Sequence, residues 1–195
     1  MKKLLITGFD PFGGETVNPS FEAVRLLPDR VGDFELTKME IPTVYGKAPR
    51  LVIEKADEIG ADVILCIGQA GGRDSITPEV VGINLREASI ADNAGVLLSG
   101  EPIDENAPAA YFATIPVRRI VSSLRETEIP CKLSYSAGAF VCNDTLFSLL
   151  HHFKETKVTV GFIHVPFLPE QAKESQPSLP LETIVSALKI AIEAL

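Results

Sequence analysis

Tryptophan is absent from this 195-residue chain, and cysteine and histidine occur only three times each. The cysteines, Cys66, Cys131 and Cys142, cannot all pair with one another. None forms a CxxC motif or lies at metal-ligand spacing from a histidine. That excludes a disulfide scaffold or a zinc module and points to a reducing compartment, the cytosol. Basic residues are also scarce, with 18 Lys and Arg against 26 Asp and Glu, a formal charge of −8 and a pI near 4.9. Without Lys/Arg clusters, neither nucleic acid nor an anionic membrane is an expected partner. No stretch approaches the ~20 apolar residues of a membrane helix. The opening MKKLLITGFDPF is basic and then apolar, but Gly8, Asp10 and Pro11 stop the run too early for a signal peptide. No repeat, low-complexity tract or linker interrupts the chain, so a single domain over residues 1–195 is expected, long enough for a substantial core.

The sequence does contain an alternation of short apolar runs and amphipathic stretches. Strands are expected at Lys3–Thr7, Phe34–Ile41, Asp62–Ile67, Val80–Leu85, Lys132–Ser136 and Val158–Val165. Helices are expected at Ser20–Leu27, Val44–Ile59 with Gly60 as the stop, Pro116–Arg125, Asn143–Phe153 and Leu181–Leu195. Residues 86–108, rich in Asp, Asn, Gly and Pro, read as a hairpin or a long loop. The alternation predicts an α/β fold, with a largely parallel sheet between two helix layers. Such folds bind ligands beyond the carboxyl ends of their strands.

Four segments follow strands and should meet on that edge: Gly8–Asn18 with Phe9 and Phe12, GQAGGRDSITPE, AGAFVC, and the end of VTVGFIHV. Three of them bring a chemical group, namely Glu79, Cys142 and His164. A cysteine at a helix N-terminus feels the positive end of the helix dipole, which should lower its pKa. A histidine could hold the thiolate, and a carboxylate could orient the histidine. Backbone N–H groups at the helix start could form an oxyanion hole.

Each residue alone has a plainer reading. Cys142 could be a packed thiol, His164 a satisfied strand-end histidine, and Glu79, beside Pro78, a solvated carboxylate. Cys66 and Cys131 read as structural, as do His151 and His152 late in a helix. GFDPFGG matches neither GxGxxG nor GxxxxGK[ST], which weakens a phosphate-binding reading.

Taken together, GFDPFGGETVNPS, GQAGGRDSITPEVVGIN, SAGAFVCN and FIHVPFLPEQ closely resemble pyroglutamyl peptidase I, a family of cysteine peptidases. IADNAG in the middle segment is also family-like. The resemblance runs in order from Leu4 to Gln171. It implies removal of N-terminal pyroglutamyl (5-oxoprolyl) residues from peptides, with no cofactor and no metal, by an enzyme that is a three-layer α/β/α sandwich around a twisted, mostly parallel mixed sheet, often assembled as a homotetramer. It places the nucleophile at Cys142, the histidine at His164 and the acid at Glu79. It places the substrate pocket at Phe9, Phe12, Phe140 and Val141, with Gln69 contacting the lactam and Asn18 bracing the loop. A basic residue would be expected where Ser89 stands; either Arg86 or Arg73 supplies charge there, or the role is dispensable. The competing reading is a non-catalytic module that binds pyroglutamyl-capped peptides.

Overall fold

The computed structural model describes residues 1–173 and 175–195. In chain order its elements are β1 (Lys2–Phe9), α1 (Pro19–Leu26), β2 (Arg30–Val31), β3 (Phe34–Ile41), α2 (Lys47–Ile59), β4 (Val63–Gln69), β5 (Thr77–Pro78), β6 (Val81–Ile83), β7 (Arg86–Glu87), β8 (Ser99–Glu101), β9 (Ala110–Phe112), α3 (Val117–Arg125), α4 (Val141–His152), β10 (Thr159–Val165) and α5 (Leu181–Glu193). A six-stranded sheet runs in the order β2-β3-β1-β4-β10-β5. Its four long strands are parallel, and the two-residue strands β2 and β5 run antiparallel at the edges. β6 pairs with β9, and β7 with β8, as small separate ladders.

Burial follows the alternation of the strands. Leu4, Ile6, Leu65, Ile67, Ile163 and Val165 point to one face, where α1, α3 and α5 cover them. Leu5, Ile64, Cys66, Val160 and Phe162 point to the other, beneath α2 and α4. Both faces of the central strands are therefore apolar, as a parallel sheet between helix layers requires. The α/β/α sandwich and its mixed sheet are those expected from the sequence.

Three local expectations need correction. Lys132–Ser136 forms no strand. It joins the structure through isolated bridges, Ile76 with Cys131 and Glu79 with Ser134, outside the six-stranded sheet. Its backbone pairs with the short 76–80 stretch, and Tyr135 is largely exposed, so little burial favours a longer ladder. Helix α2 begins at Lys47 instead of Val44 because Gly46 has φ of 66°, a left-handed conformation that no helix interior accepts. Helix α4 begins at Val141, two residues before the expected start. No Ser, Thr, Asp or Asn marks its N-cap, which is Phe140, so the sequence hides the boundary there. Cys142 thus lies inside the first turn. Residues 86–108 form the β7–β8 pair and its loops, which is the hairpin alternative.

Candidate active site

The four segments do converge, although the one that ends in Cys142 follows no strand. In the sheet register His164 of β10 sits beside Gly68 of β4. Two residues earlier, Phe162 belongs to the cluster under α4, so alternation turns His164 to that same face. The two rings lie with centroids 4.8 Å apart. Gly68 leaves the space that Cys142 occupies: a Cβ there would lie 3.0 Å from Cys142 Sγ and 2.7 Å from the Phe162 ring. The absence of one side chain thus seats the thiol over β4, next to the strand that carries the histidine.

Glu79 completes the group. It is fully buried, not solvated, and its Oε1 accepts a hydrogen bond from His164 Nδ1 at 2.7 Å. Burial pushes the Glu79 carboxyl up, but the hydrogen bond and charge of His164, the Ser134 hydroxyl and Arg73 outweigh it and hold the acid below its usual range. An ionised Glu79 can only accept, so the His164 proton is on Nδ1 and the Nε2 lone pair is free. Burial also drives the His164 pKa below 6.5, against the opposing pull of Glu79.

The thiol departs from the sequence expectation. Burial raises the Cys142 pKa to about 12, and the Glu79 and Cys66 charges add to it. The helix terminus therefore does not make a resting thiolate, because desolvation dominates dipole stabilisation in a site this enclosed. The ligand-free pair is thiol and neutral imidazole. Both acidic shifts have one consequence for stability. Glu79 and His164 each have a folded pKa below the unfolded value, so the unfolded chain binds more protons in acid. Their stabilisation is present above about pH 6.5 and is lost as pH falls through the two depressed folded values. Thermal melts from pH 7.5 to 5 should show a falling midpoint, with a weaker fall in His164→Gln. An equal fall in both proteins would remove His164 from this account.

The sequence did not reveal what holds the first turn of α4. Asn143 and Asp144, adjacent to Cys142, are fully buried. Asn143 accepts from Ile83 N–H at 2.9 Å and donates to the Ile83 and Leu85 carbonyls, which locks α4 to β6. Asp144 accepts from the Gly46 N–H at 2.7 Å and from Arg86 Nε at 2.8 Å, which locks α4 to the start of α2. Among the described residues no side chain caps this terminus, so the N–H groups of Val141 and Cys142 remain available. The signal was present: two polar residues following a cysteine at the start of an otherwise apolar helix.

Arg86 is committed to Asp144, and Ser89 is exposed. Of the two arginines considered for the missing charge, Arg73 is the one at the acid. Its Nη1 donates to Glu79 Oε1 at 2.7 Å and to Thr77 Oγ1 at 2.6 Å, and its Nη2 donates to the Ser136 carbonyl at 3.0 Å.

The remaining candidates separate into two groups. Phe12 and Phe140 pack with their rings tilted by 45° and centroids 5.8 Å apart, and Tyr45, which sequence reasoning did not single out, packs edge-on against Phe140 at 5.5 Å. Phe9 and Val141 are core residues beneath this aromatic group, Phe9 against Phe162. Gln69 leaves β4 from the face opposite Gly68. Its Oε1 accepts from Gln171 Nε2 at 3.0 Å, and Gln171 also ties down the Val17 carbonyl and the Leu168 N–H. Asn18 caps α1 and donates to the Asp10 carbonyl at 2.9 Å, so its side chain acts as a brace.

IADNAG has a structural role. Asn93 donates to Asp10 Oδ1 at 3.1 Å and to the Pro11 carbonyl at 2.9 Å, and Asp92 accepts from the Tyr45 N–H at 3.0 Å. The hairpin thereby ties down the loops that carry Phe12 and Tyr45. Asn93→Ala should cost about 1 kcal/mol of stability and raise KM while kcat changes little. A lowered melting point with KM unchanged would show that the tie does not shape the pocket.

An α/β/α sandwich with a cysteine, a histidine and a buried glutamate gathered at its strand ends has the layout of a cysteine hydrolase. The comparisons with known proteins narrow that class. A family model described as pyroglutamyl peptidase matches residues 2–195. Pyrrolidone-carboxylate peptidase from Staphylococcus saprophyticus is 49% identical over 201 aligned positions, covering 99% of this chain and 92% of that protein. The enzyme of the same name from Enterococcus faecalis is 46% identical, covering 98% and 92%. The crystal structure of pyroglutamyl peptidase I from Bacillus amyloliquefaciens superposes with a TM-score of 0.96 at 46% identity, covering 100% of this chain and 96% of that one. Pyrrolidone carboxyl peptidase from Thermococcus litoralis superposes at 0.94 with 35% identity, covering 100% and 93%. The chain belongs to the pyroglutamyl peptidase family.

Proposed function

We propose that this chain is a cysteine peptidase that hydrolyses the amide bond after an N-terminal pyroglutamyl residue, with Cys142 as nucleophile, His164 as base and acid, and Glu79 as the group that orients His164. The observation that carries the assignment of roles is the buried Glu79–His164 hydrogen bond, set beside the thiol that the Gly68 gap admits. His164 Nε2 takes the thiol proton as sulfur attacks the pyroglutamyl carbonyl, because the resting pair is neutral. The tetrahedral oxyanion is met by the uncapped N–H groups at the start of α4, each such donor contributing about 3–4 kcal/mol to the transition state. His164 then gives its proton to the departing amine. Water, activated by the same histidine, hydrolyses the thioester.

A pyroglutamyl group is a flat neutral lactam, which suits an apolar aromatic pocket with few polar contacts. Phe12 and Phe140 supply the rings, with Phe9 and Val141 as their floor. Gln69, its oxygen engaged by Gln171, offers N–H donors to the lactam carbonyl. A pocket without a carboxylate to meet an ammonium disfavours ordinary N-termini. The same reading places the enzyme in the cytoplasm, in keeping with its free cysteines, as one domain over residues 1–195. Assembly into a homotetramer is in keeping with the exposed Phe112 and Leu97. Hydrolysis of fluorogenic pyroglutamyl, prolyl and alanyl amides under reducing conditions tests the reading. Selective cleavage of the pyroglutamyl amide, abolished by iodoacetamide, is expected. Tight binding of pyroglutamyl peptides without cleavage would leave the binding-module alternative.

A further inference from the structure

We propose that Arg73 is a positioning residue of this site: its guanidinium, anchored on Thr77 and the Ser136 carbonyl, fixes the Glu79 carboxylate so that Oε1 holds His164 in one orientation. The inference rests on the peptidase reading above.

The geometry has three parts. Glu79 is fully buried, and a buried carboxylate needs compensating charge as well as hydrogen bonds. His164 supplies charge to it only when protonated, and burial holds its pKa down. Arg73 is the permanently charged group bonded to Glu79 among the described residues, and it shares the same oxygen with His164 Nδ1, both at 2.7 Å. The arginine is itself held from two directions, by Thr77 of β5 and by the 134–136 stretch, so the fork cannot follow a rotating carboxylate. Its outer edge lines an open groove of about 400 Å³ with Lys132 and Tyr135, and Lys132 is paired at 2.8 Å with Asp74 on that exposed side. The groups facing Glu79 are therefore His164 from β10, Cys142 from α4, with Cys66 of β4 behind it, and Arg73 from the loop after β4.

Beneath the larger effect of burial, the Arg73 charge lowers the pKa of His164, Cys142 and Glu79 alike. Removing it raises all three. The acid limb of Cys142 reactivity must then move to higher pH, whichever of the three groups limits it. A residue that merely packed the loop would lower rates without moving the limb.

The test is the pH dependence of Cys142 alkylation by iodoacetamide, resolved from Cys66 and Cys131 by peptide mass spectrometry. In Arg73→Met the acid limb should move up by about one pH unit. Arg73→Lys, which keeps the charge without the fork, should return the limb to its wild-type position but leave kcat for the pyroglutamyl amide lowered, because an ammonium cannot hold the carboxylate as the anchored fork does; wild-type kcat in Arg73→Lys would overturn the positioning role. Arg73→Gln keeps a hydrogen bond to Glu79 without charge, and serves if Arg73→Met folds poorly; the same upward movement is expected. A limb that stays in place in the folded Met or Gln protein overturns the proposal. Alkylation needs no substrate, so turnover of the pyroglutamyl amide by wild-type protein, measured in parallel, tests the peptidase reading separately.

Discussion

Cys142→Ala and Cys142→Ser are expected to lower kcat/KM for a pyroglutamyl amide by about 10³-fold or more while the protein stays folded. The loss is large because the proposed reaction passes through a covalent bond to this sulfur, and no neighbouring side chain can replace it. Serine keeps the shape and can still reach His164, but its hydroxyl is a far weaker nucleophile and a far weaker acid than a thiol. Stability should change little, by about 1 kcal/mol, because the side chain is small and the first turn of α4 is anchored by Asn143 and Asp144, not by the thiol. Kinetics and thermal melts on the same preparations separate the two effects. Near-wild-type turnover in either variant would remove Cys142 from the chemistry.

Gly68→Ala should cause the next largest loss by displacing the thiol instead of deleting it. The new methyl would lie 2.7 Å from the Phe162 ring and 3.0 Å from Cys142 Sγ. Phe162 is fully buried and packs on Phe9 at 6.1 Å, so the ring has nowhere to retreat. Overpacking of this kind costs about 1–3 kcal/mol, and moving a nucleophile by a fraction of its approach distance costs about 10²-fold in rate. The sharper measurement is the double variant with Phe162→Leu, which frees space on the methyl's other side. Recovery of most of the lost activity is expected there. Full activity in Gly68→Ala alone would mean that the thiol does not need the Gly68 gap.

Much of this arrangement was legible in the sequence. Continuous apolar runs such as DVILCI announced strands covered on both faces, and strand–helix alternation then placed Glu79, Cys142 and His164 on one edge. What stayed hidden depended on tertiary context. The start of α4 was misplaced because Phe140 caps it without a side-chain hydrogen bond. KLSYS has a strand-like pattern but finds little to pair with beyond the sheet edge. The thiol's raised pKa could not be read from a helix N-terminus, because the sign depends on how completely the turn is enclosed. Tyr45 carried no local signal, and Arg73 stood out only as one of two arginines near the position of Ser89. Arg73 matters because Glu79, Thr77 and Ser136 converge on it, and only the fold brings them together.

The most direct test of the account is to trap the intermediate. Wild-type protein mixed with a pyroglutamyl amide and quenched in acid within one turnover should carry one pyroglutamyl group, bound as a thioester to the Cys142 peptide and absent from Cys142→Ala. Continuing turnover with no acyl group on Cys142, or with the label on Cys66 or Cys131, would contradict it.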